Sequence, residues 1–501
     1  MPDHAKSDSP AVQAQLDRLA ALSPGRDTLG LERIGELCTR LGNPQEQLPP
    51  VFHVAGTNGK GSTCAFLRGA IEAAGLTAHV YSSPHLVRFN ERIRVSGRLI
   101  TDDYLAELLS EVLDHAEGLQ ASFFEVTTAA AFLAFARNPA DACILEVGLG
   151  GRLDATNIIA APAICGIASL GIDHESFLLA AEEGVPDMPP LDRIAFEKSG
   201  IAKAGVLLVC QKYAPSMLTE IAKQAMHAGA KLLDRGETWD AVVYDGGLHY
   251  RDVKGKLALP LPRMVGPHQA DNAALAIAML RHQNAIVIPE SALAAAMEWT
   301  RWPARMQRLA KGPLTDLLPD GTEVWLDGGH NVDGGRAIAA HFASETRAIH
   351  LITGMLANKD PMAVIAPLKD KLASITVLPV PGHAHHSMED FRDAFSSLPI
   401  HLPGSSTARR VDAQDKLPSL AKGGGPSLDL SVAADRLKAA RGPVPNSRLR
   451  RVDEALRLSA APDVETAFAS IDIDPSSQIV LIAGTLYLAG AILRANNQIP
   501  E

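Results

Sequence analysis

VFHVAGTNGKGST, residues 51–63, runs from an apolar strand-like stretch through a glycine-rich turn into the start of a helix. Strand, tight turn and helix N-terminus together make an anion site. Backbone N–H groups converge in the loop, the helix dipole adds positive potential, and Lys60 adds a full charge. A turn that merely reverses the chain has no use for a lysine set between glycines. The strict pattern GxxxxGK[ST] is not met, because Val54 stands where its first glycine belongs and Gly61 follows the lysine. Gly56, Thr57, Asn58, Gly59, Lys60, Gly61 and Ser62 are the candidate phosphate-binding residues.

Outward from this loop, apolar β-rich runs alternate with Ala/Leu-rich amphipathic segments, the pattern of a parallel sheet with crossover helices. Strands are expected at Val51–Ala55, Ala78–Tyr81, Ala142–Val147, Ala163–Ser169, Val206–Val209, Val324–Leu326, Ile349–Thr353, Ser374–Leu378 and Ile479–Ala483. Helices are expected at Leu31–Leu41, Ser62–Ala74, Asp102–Glu117, Thr127–Arg137, Asp271–Arg281, Gly334–Phe342 and Pro361–Ala366. Periodicity lapses near Gly312–Gly321. The expected fold is α/β: a P-loop ATP-binding domain with a mostly parallel sheet over 1–311, a linker over 312–322, and a smaller Rossmann-like domain over 323–501. Two segments interrupt it. Residues 178–192 are acidic and contain three prolines, and residues 403–451 carry ten Lys/Arg against four Asp/Glu. The second composition suits an exposed, flexible insertion.

The 501 residues carry 47 Lys+Arg and 57 Asp+Glu, a formal charge of −10. Removing the +6 of 403–451 leaves −16 on the rest. An acidic balance argues against a dedicated nucleic-acid binder but not against small anions, which need only a local field. The uncharged stretches Ala155–Ile172 and Pro475–Leu493 are broken by Gly and Pro and read as buried strands rather than membrane spans. Five cysteines form no CxxC pair and read as core residues of a protein in the reducing cytoplasm.

A bound nucleotide triphosphate needs a magnesium ion, held by a few oxygen ligands together with phosphates. Glu146 ends a buried strand in ILEVGLGGRLDATN, placing a carboxylate at the sheet edge where α/β sites sit. The GLGG after it is not a dinucleotide fingerprint, because Leu153 takes the place of the third glycine. His174 follows another apolar strand in ASLGIDHESF. The triplet His383, His385 and His386 has no trusted zinc spacing and reads as a polar loop.

The loop GTNGKGST, with LGLERIGELCTRLGNPQ upstream and YSSPHLVRFNERIRV and FFEVTTAAAF downstream, resembles the folylpolyglutamate synthase/dihydrofolate synthase family of the Mur-ligase superfamily. The resemblance spans roughly 15–177, 193–402 and 452–494. It implies that Ser83, Glu146 and His174 hold the metal ion, and that Lys198 of IAFEKSGIAK is a carbamylated lysine. It further implies nucleotide contacts from Asn272 in VGPHQADN, Arg305 in RWPARMQRL, and Asp327 and His330 in LDGGHN. Ser199 and Gly329 depart from the family's usual FEKAG and DGAHN, and residues 178–192 lengthen the link from His174 to Lys198. The acceptor pocket is carried over onto Ser122, Phe124, Asp154 and Ala155.

The implied chemistry is ATP-dependent formation of an acyl phosphate on a pterin-linked carboxylate, followed by attack of L-glutamate. Lys60, His174 and Lys198 are its catalytic residues. The implied partners are small molecules alone: ATP as co-substrate, L-glutamate, dihydropteroate and folates, with Mg²⁺ and room for a monovalent cation. A monomer without nucleic-acid or membrane partner is expected. A cell-wall Mur ligase shares the loop but places a sugar-nucleotide domain before it, and only 55 residues precede Gly56. A monofunctional folylpolyglutamate synthase and a non-catalytic ATP-binding protein are the competing readings.

Overall fold

Five strands of the first sheet are short, mostly apolar and almost wholly buried, as parallel sheets covered on both faces require. The computed structural model describes residues 5–22, 29–396 and 456–501. The expected insertion at 403–451 lies outside the described residues. Eight strands form the first sheet: β1 Val51–Ala55, β2 Ala78–Tyr81, β3 Ile93–Val95, β4 Arg98–Leu99, β5 Ala142–Glu146, β6 Ile164–Ile167, β7 Leu207–Cys210 and β8 Lys231–Asp234. Their order is β4-β3-β2-β5-β1-β6-β7-β8, parallel from β2 to β8 with an antiparallel β3–β4 edge. β1 lies between β5 and β6, and Val54 stands level with Glu146 on one side and Gly166 on the other. The phosphate loop therefore leaves the C-terminal edge of the sheet at its centre, where open α/β sheets form their crevice.

Strand alternation splits the core between two faces. Phe52, Val54, Ala142 and Ile144 pack against the helices Lys60–Ala73 and Pro267–His282. Val51, Cys143 and Leu145 pack against the helices Asp102–His115 and Phe123–Ala136. All five cysteines are buried and free, as expected of small core residues.

A three-stranded antiparallel meander follows: β9 Trp239–Tyr244, β10 Gly247–Asp252 and β11 Gly255–Pro260. The sequence reading missed it, although Asp245-Gly246 is a strong two-residue hairpin signal. Both residues take positive φ, 48° and 72°.

The second sheet has six strands: β12 Gln307–Arg308, β13 Val324–Leu326, β14 Ala348–Thr353, β15 Leu372–Val377, β16 Arg457–Ala460 and β17 Gln478–Ala483. Its order is β12-β13-β17-β14-β15-β16, parallel except for β12. The chain thus enters this sheet at Gln307, ahead of the expected linker at 312–322. Within that stretch Leu314 and Leu318 are buried in the second core. The helix expected at Pro361–Ala366 is a correction: the chain turns first, with Asp360 Oδ1 accepting from the Met362 N–H at 2.8 Å, and the helix is Ile365–Leu368. No helix among the described residues is long and apolar enough to cross a membrane.

Candidate active site

β1 delivers the chain to a loop pinned on its neighbour. The Thr57 N–H donates to Ser169 O at 2.7 Å. The Thr57 hydroxyl donates to Gly171 O at 2.9 Å and accepts from the Gly171 N–H at 3.1 Å. Gly59 has φ +83°, and a Cβ there would stand 2.3 Å from Asn272 Oδ1. Glycine is required twice over, by backbone and by contact. The same contact brings Asn272, on the helix Pro267–His282, against the loop. The helix Lys60–Ala73 has no side-chain N-cap. The Lys60 ammonium folds back over the loop, donating to Gly56 O at 3.1 Å and Thr57 O at 3.3 Å.

Glu146 is 5% exposed and makes no ion pair among the described residues. Burial pushes its carboxyl up to about 7, against the pull of Lys60 and Arg305, while the Ser83 N–H donates to it. A buried carboxylate facing a phosphate loop is the oxygen donor that a divalent cation would satisfy. His174 is accessible within the cleft, at φ +53°. Desolvation, then the cations Lys359, Lys60 and Lys198, push its pKa down against the opposing charge of Asp173. A neutral imidazole keeps a lone pair for a metal. Glu146, Ser83 and His174 are a donor set that fits Mg²⁺. Among the described residues no cluster of three or more His, Cys, Asp or Glu could hold a metal ion. Phosphate oxygens and water would have to complete its shell, as is usual for Mg²⁺.

Lys198 is not the solvated surface lysine that its helix alone suggests. It is 4% exposed, and burial, then Lys60, lowers its pKa to about 7 against Asp173, Asp154 and Glu197. It lies beneath the cleft rather than on its wall. The GLGG loop packs on it: a Cβ on Gly151 would stand 2.9 Å from the carbonyl oxygens of both Glu197 and Lys198. The helix Pro190–Ser199 is fixed by an ion network, Arg193 to Glu197 at 2.8 Å, Arg152 to Glu197 at 3.0 Å and Arg193 to Glu182 at 3.1 Å. Glu182 belongs to the acidic segment 178–192, which is thereby tied to the lysine's own helix.

The second sheet faces this edge. Asp327 Oδ2 accepts from the Met306 N–H at 2.8 Å and Oδ1 from the Gly329 N–H at 2.7 Å. Ala304 and Met306 both take positive φ, 53° and 43°, so Asp327 holds Arg305 in a strained turn. His330 Nε2 lies 3.3 Å from Asp173 Oδ2. Asn331 Nδ2 donates to Asn58 Oδ1 at 3.0 Å and lies 3.2 Å from Asp173 Oδ2, and Lys359 pairs with Asp173. Burial opposes ionisation of Asp173, but His330, His174 and Lys359 outweigh it and hold the carboxyl well below the usual range. Asp173, Asn331 and Lys359 were not foreseen as site residues. No spacing signals them, because the partners lie 158 and 186 residues apart.

The residues expected to form the acceptor pocket have structural partners of their own. Ser122 caps the helix Phe123–Ala136 through a reciprocal box, its N–H donating to Glu125 Oε2 at 2.7 Å and its Oγ accepting from the Glu125 N–H at 3.3 Å. The S-x-x-E signature was readable as a helix start, four residues before the expected Thr127. Phe124 lies over Gly148, where a Cβ would stand 2.4 Å from the ring. The Asp154 carboxylate is taken up by its own loop, accepting from the N–H groups of Leu149 at 2.9 Å and Thr156 at 3.0 Å. Ala155 follows it.

These elements enclose a cleft of about 600 Å³. Every predicted site residue lines it except Gly56, which turns behind the loop, and Lys198. His383 lines it too, its ring stacked on Tyr487 at 3.9 Å.

The chain is 33% identical over 366 residues to the dihydrofolate synthase/folylpolyglutamate synthase of Bacillus subtilis (strain 168), covering 68% of this chain and 76% of that one. It belongs to the dihydrofolate synthase/folylpolyglutamate synthase family. The enzyme of the same description from Escherichia coli (strain K12) is 34% identical over 357 residues, covering 71% and 78%. A solved bifunctional folylpolyglutamate synthase/dihydrofolate synthase with Mn, AMPPNP and L-glutamate bound superposes with a TM-score of 0.73 at 26% identity, over 98% of this chain and 99% of that one. No protein-family model matches the chain. The family is one of ATP-dependent ligases, and its α/β fold is the one described above.

Proposed function

We propose that this protein adds L-glutamate to dihydropteroate and to folates through an acyl phosphate. The observation that carries this reading is the convergence of Lys60, Arg305 and buried Glu146 at one sheet edge, with the second lobe's Asp327 and His330 across the cleft. The acceptor carboxylate oxygen attacks the γ-phosphorus of ATP and ADP leaves. Lys60 and Arg305 disperse charge on the transferring phosphoryl group, so the catalysis is mainly electrostatic and positional. A magnesium ion held by Glu146, Ser83 and His174 would supply further positive charge to the phosphates. The glutamate nitrogen then attacks the acyl carbon, loses its proton, and inorganic phosphate leaves. Closure of the two lobes keeps water from the acyl phosphate.

The same reading gives nucleotide contacts to residues 56–62, Asn272, Arg305, Asp327 and His330. It gives acceptor contacts to Ser122, Phe124, Asp154 and Ala155, with catalytic weight on Lys60, His174 and Lys198. The lobe before residues 312–322 binds nucleotide and acceptor, and the lobe after them closes over it. It also makes the protein a cytoplasmic monomer without nucleic-acid or membrane partner, in keeping with the −10 charge.

The test offers the purified protein ATP, Mg²⁺ and radiolabelled glutamate, with dihydropteroate and tetrahydrofolate in separate reactions. Incorporation with both is expected. Incorporation with tetrahydrofolate alone makes the enzyme monofunctional, and none with either, under conditions where nucleotide binds, sinks the ligase reading.

A further inference from the structure

Behind the cleft wall, a buried histidine is joined to Asp154 by a relay of hydrogen bonds. His53 is the middle residue of β1, between β5 and β6, and has no exposed surface. Its Nε2 lies 2.8 Å from Thr156 Oγ1, and the Thr156 hydroxyl donates to Asp154 Oδ1 at 2.5 Å. The Thr156 N–H donates to the same oxygen at 3.0 Å, and the Leu149 N–H donates to Oδ2 at 2.9 Å. Both carboxylate oxygens are held, which fixes the plane of the group. His53 and Thr156 are wholly buried, whereas Asp154 lines the cleft.

For an ionised Asp154 the protons can be placed in only one way. A carboxylate only accepts, so the Thr156 hydroxyl gives its proton to Oδ1 and its oxygen accepts from His53. The imidazole then carries its proton on Nε2 and a bare lone pair on Nδ1. Nδ1 has no hydrogen-bond partner among the described residues. Burial, then Lys203, pushes the His53 pKa down to about 3, so the ring is neutral across the physiological range. Burial also pushes the Asp154 carboxyl up, against its hydrogen bonds from Leu149, Thr156 and Gly148. Protonating Asp154 would let the relay reverse and leave a buried N–H on Nδ1 without an acceptor, which is the costlier arrangement. The neighbouring strand supplies a contrast. His79 of β2 is equally buried, but its Nε2 bonds Asn138 O at 3.0 Å and its Nδ1 accepts from the Ser96 N–H at 3.1 Å. Both nitrogens of a packing histidine are satisfied in this way. His53 is satisfied at one, and a leucine would fill the position with no unpaired nitrogen. What the histidine adds is a hold on a carboxylate of the cleft.

We propose that His53 is a positioning residue, which acts through Thr156 to hold Asp154 as a fixed acceptor for the N–H donors of the acceptor substrate's heterocycle. The role rests on the acceptor contacts given to Asp154 above. The test is calorimetric titration of dihydropteroate into the full chain with saturating ADP and Mg²⁺, run beside steady-state ligation and a thermal melt. His53→Leu should weaken dihydropteroate binding about tenfold, the scale of a lost hydrogen bond to a charged group. The KM for dihydropteroate should rise with it, while those for ATP and L-glutamate stay within about twofold. The melt should move by no more than a few degrees. His53→Gln, which keeps an N–H near the Nε2 position, should recover most of the loss. Thr156→Val cuts the relay at its other bond, so the H53L/T156V double variant should bind no more weakly than the weaker single variant. Unchanged affinity in H53L, additive losses in the double variant, or an equal rise in every KM overturns the proposal. Should H53L not fold, H53Q and H53N replace it. Gln reaches the Nε2 position and Asn does not, so equal dihydropteroate affinity in the two overturns the proposal. If ligation proceeds and H53L binds dihydropteroate like the wild type, this inference alone falls. If H53L loses affinity and the wild-type chain ligates nothing, the relay stands and the ligase reading falls.

Discussion

Lys60 is the residue on which most of the proposed chemistry depends, and its ammonium rests on the Gly56 and Thr57 carbonyls. Those contacts are weak compared with a phosphate oxyanion, so the side chain is free to turn onto nucleotide. Lys60→Ala should lower kcat by about a hundredfold or more, the scale of losing one preorganised charge from a phosphoryl-transfer site. A variant retaining wild-type turnover would remove the role. Lys198 makes a different prediction. A lysine depressed to about 7 by burial is substantially neutral at physiological pH, and only the neutral amine reacts with CO₂ to form a carbamate. Ligation should therefore fall in CO₂-stripped buffer and return with bicarbonate, while Lys198→Arg stays inactive under both conditions. The linkage sign also follows. Between about 7 and the ordinary lysine pKa the unfolded chain binds more protons, so the unmodified lysine's penalty to stability is full below about 7 and fades as pH rises. The loop glycines and Lys60 were legible because they are contiguous. Asp173, Asn331 and Lys359 were not, because they meet only once both sheets have formed.

Among the elements, the helix starting at Val332 joins three parts of the site through its cap. Asn331 Oδ1 accepts from the Gly334 N–H at 2.9 Å, while its amide bridges Asn58 of the phosphate loop and Asp173. Asn331→Ala removes the cap and the bridge together. We expect a stability loss on the order of 1 kcal/mol by thermal melting. Weaker nucleotide binding should accompany it, since Asn58 loses its partner across the cleft. Unchanged nucleotide affinity in a titration with fluorescent ADP would show that the bridge has no part in holding the loop. Strand and helix positions around the loop were readable from periodicity because each strand is apolar and each crossover helix long. The start of Phe123–Ala136 was misplaced for the opposite reason. That helix is buried almost all round and shows no amphipathic stripe, so only its Ser122–Glu125 cap marked it.

Across the whole molecule, the cleft is built from strand-end loops of both sheets, and this decides which parts of the chain the chemistry can spare. The second sheet contributes residues after β13, after β14, after β15 and after β17, whereas none from β16 lines the cleft. β16 is the edge strand, paired with β15 among the described residues, and residues 403–451 stand in the sequence between the helix Met388–Ser396 and that strand. In composition the segment differs from the rest: it carries +6 where the remaining residues carry −16. Its sequence holds none of the residues given a catalytic or binding role. Replacing 403–451 with a flexible linker of about 15 residues should therefore leave kcat for glutamate ligation within about threefold of the full chain. The net charge would shift by −6, giving earlier elution on anion exchange for the full chain than for the variant. The measurement is steady-state turnover with ATP and each acceptor, run beside a thermal melt. A melt within a few degrees of the full chain together with a kcat reduced tenfold or more would show that the segment reaches the chemistry after all. Such a result would give the segment a part in the proposed chemistry that its composition does not suggest.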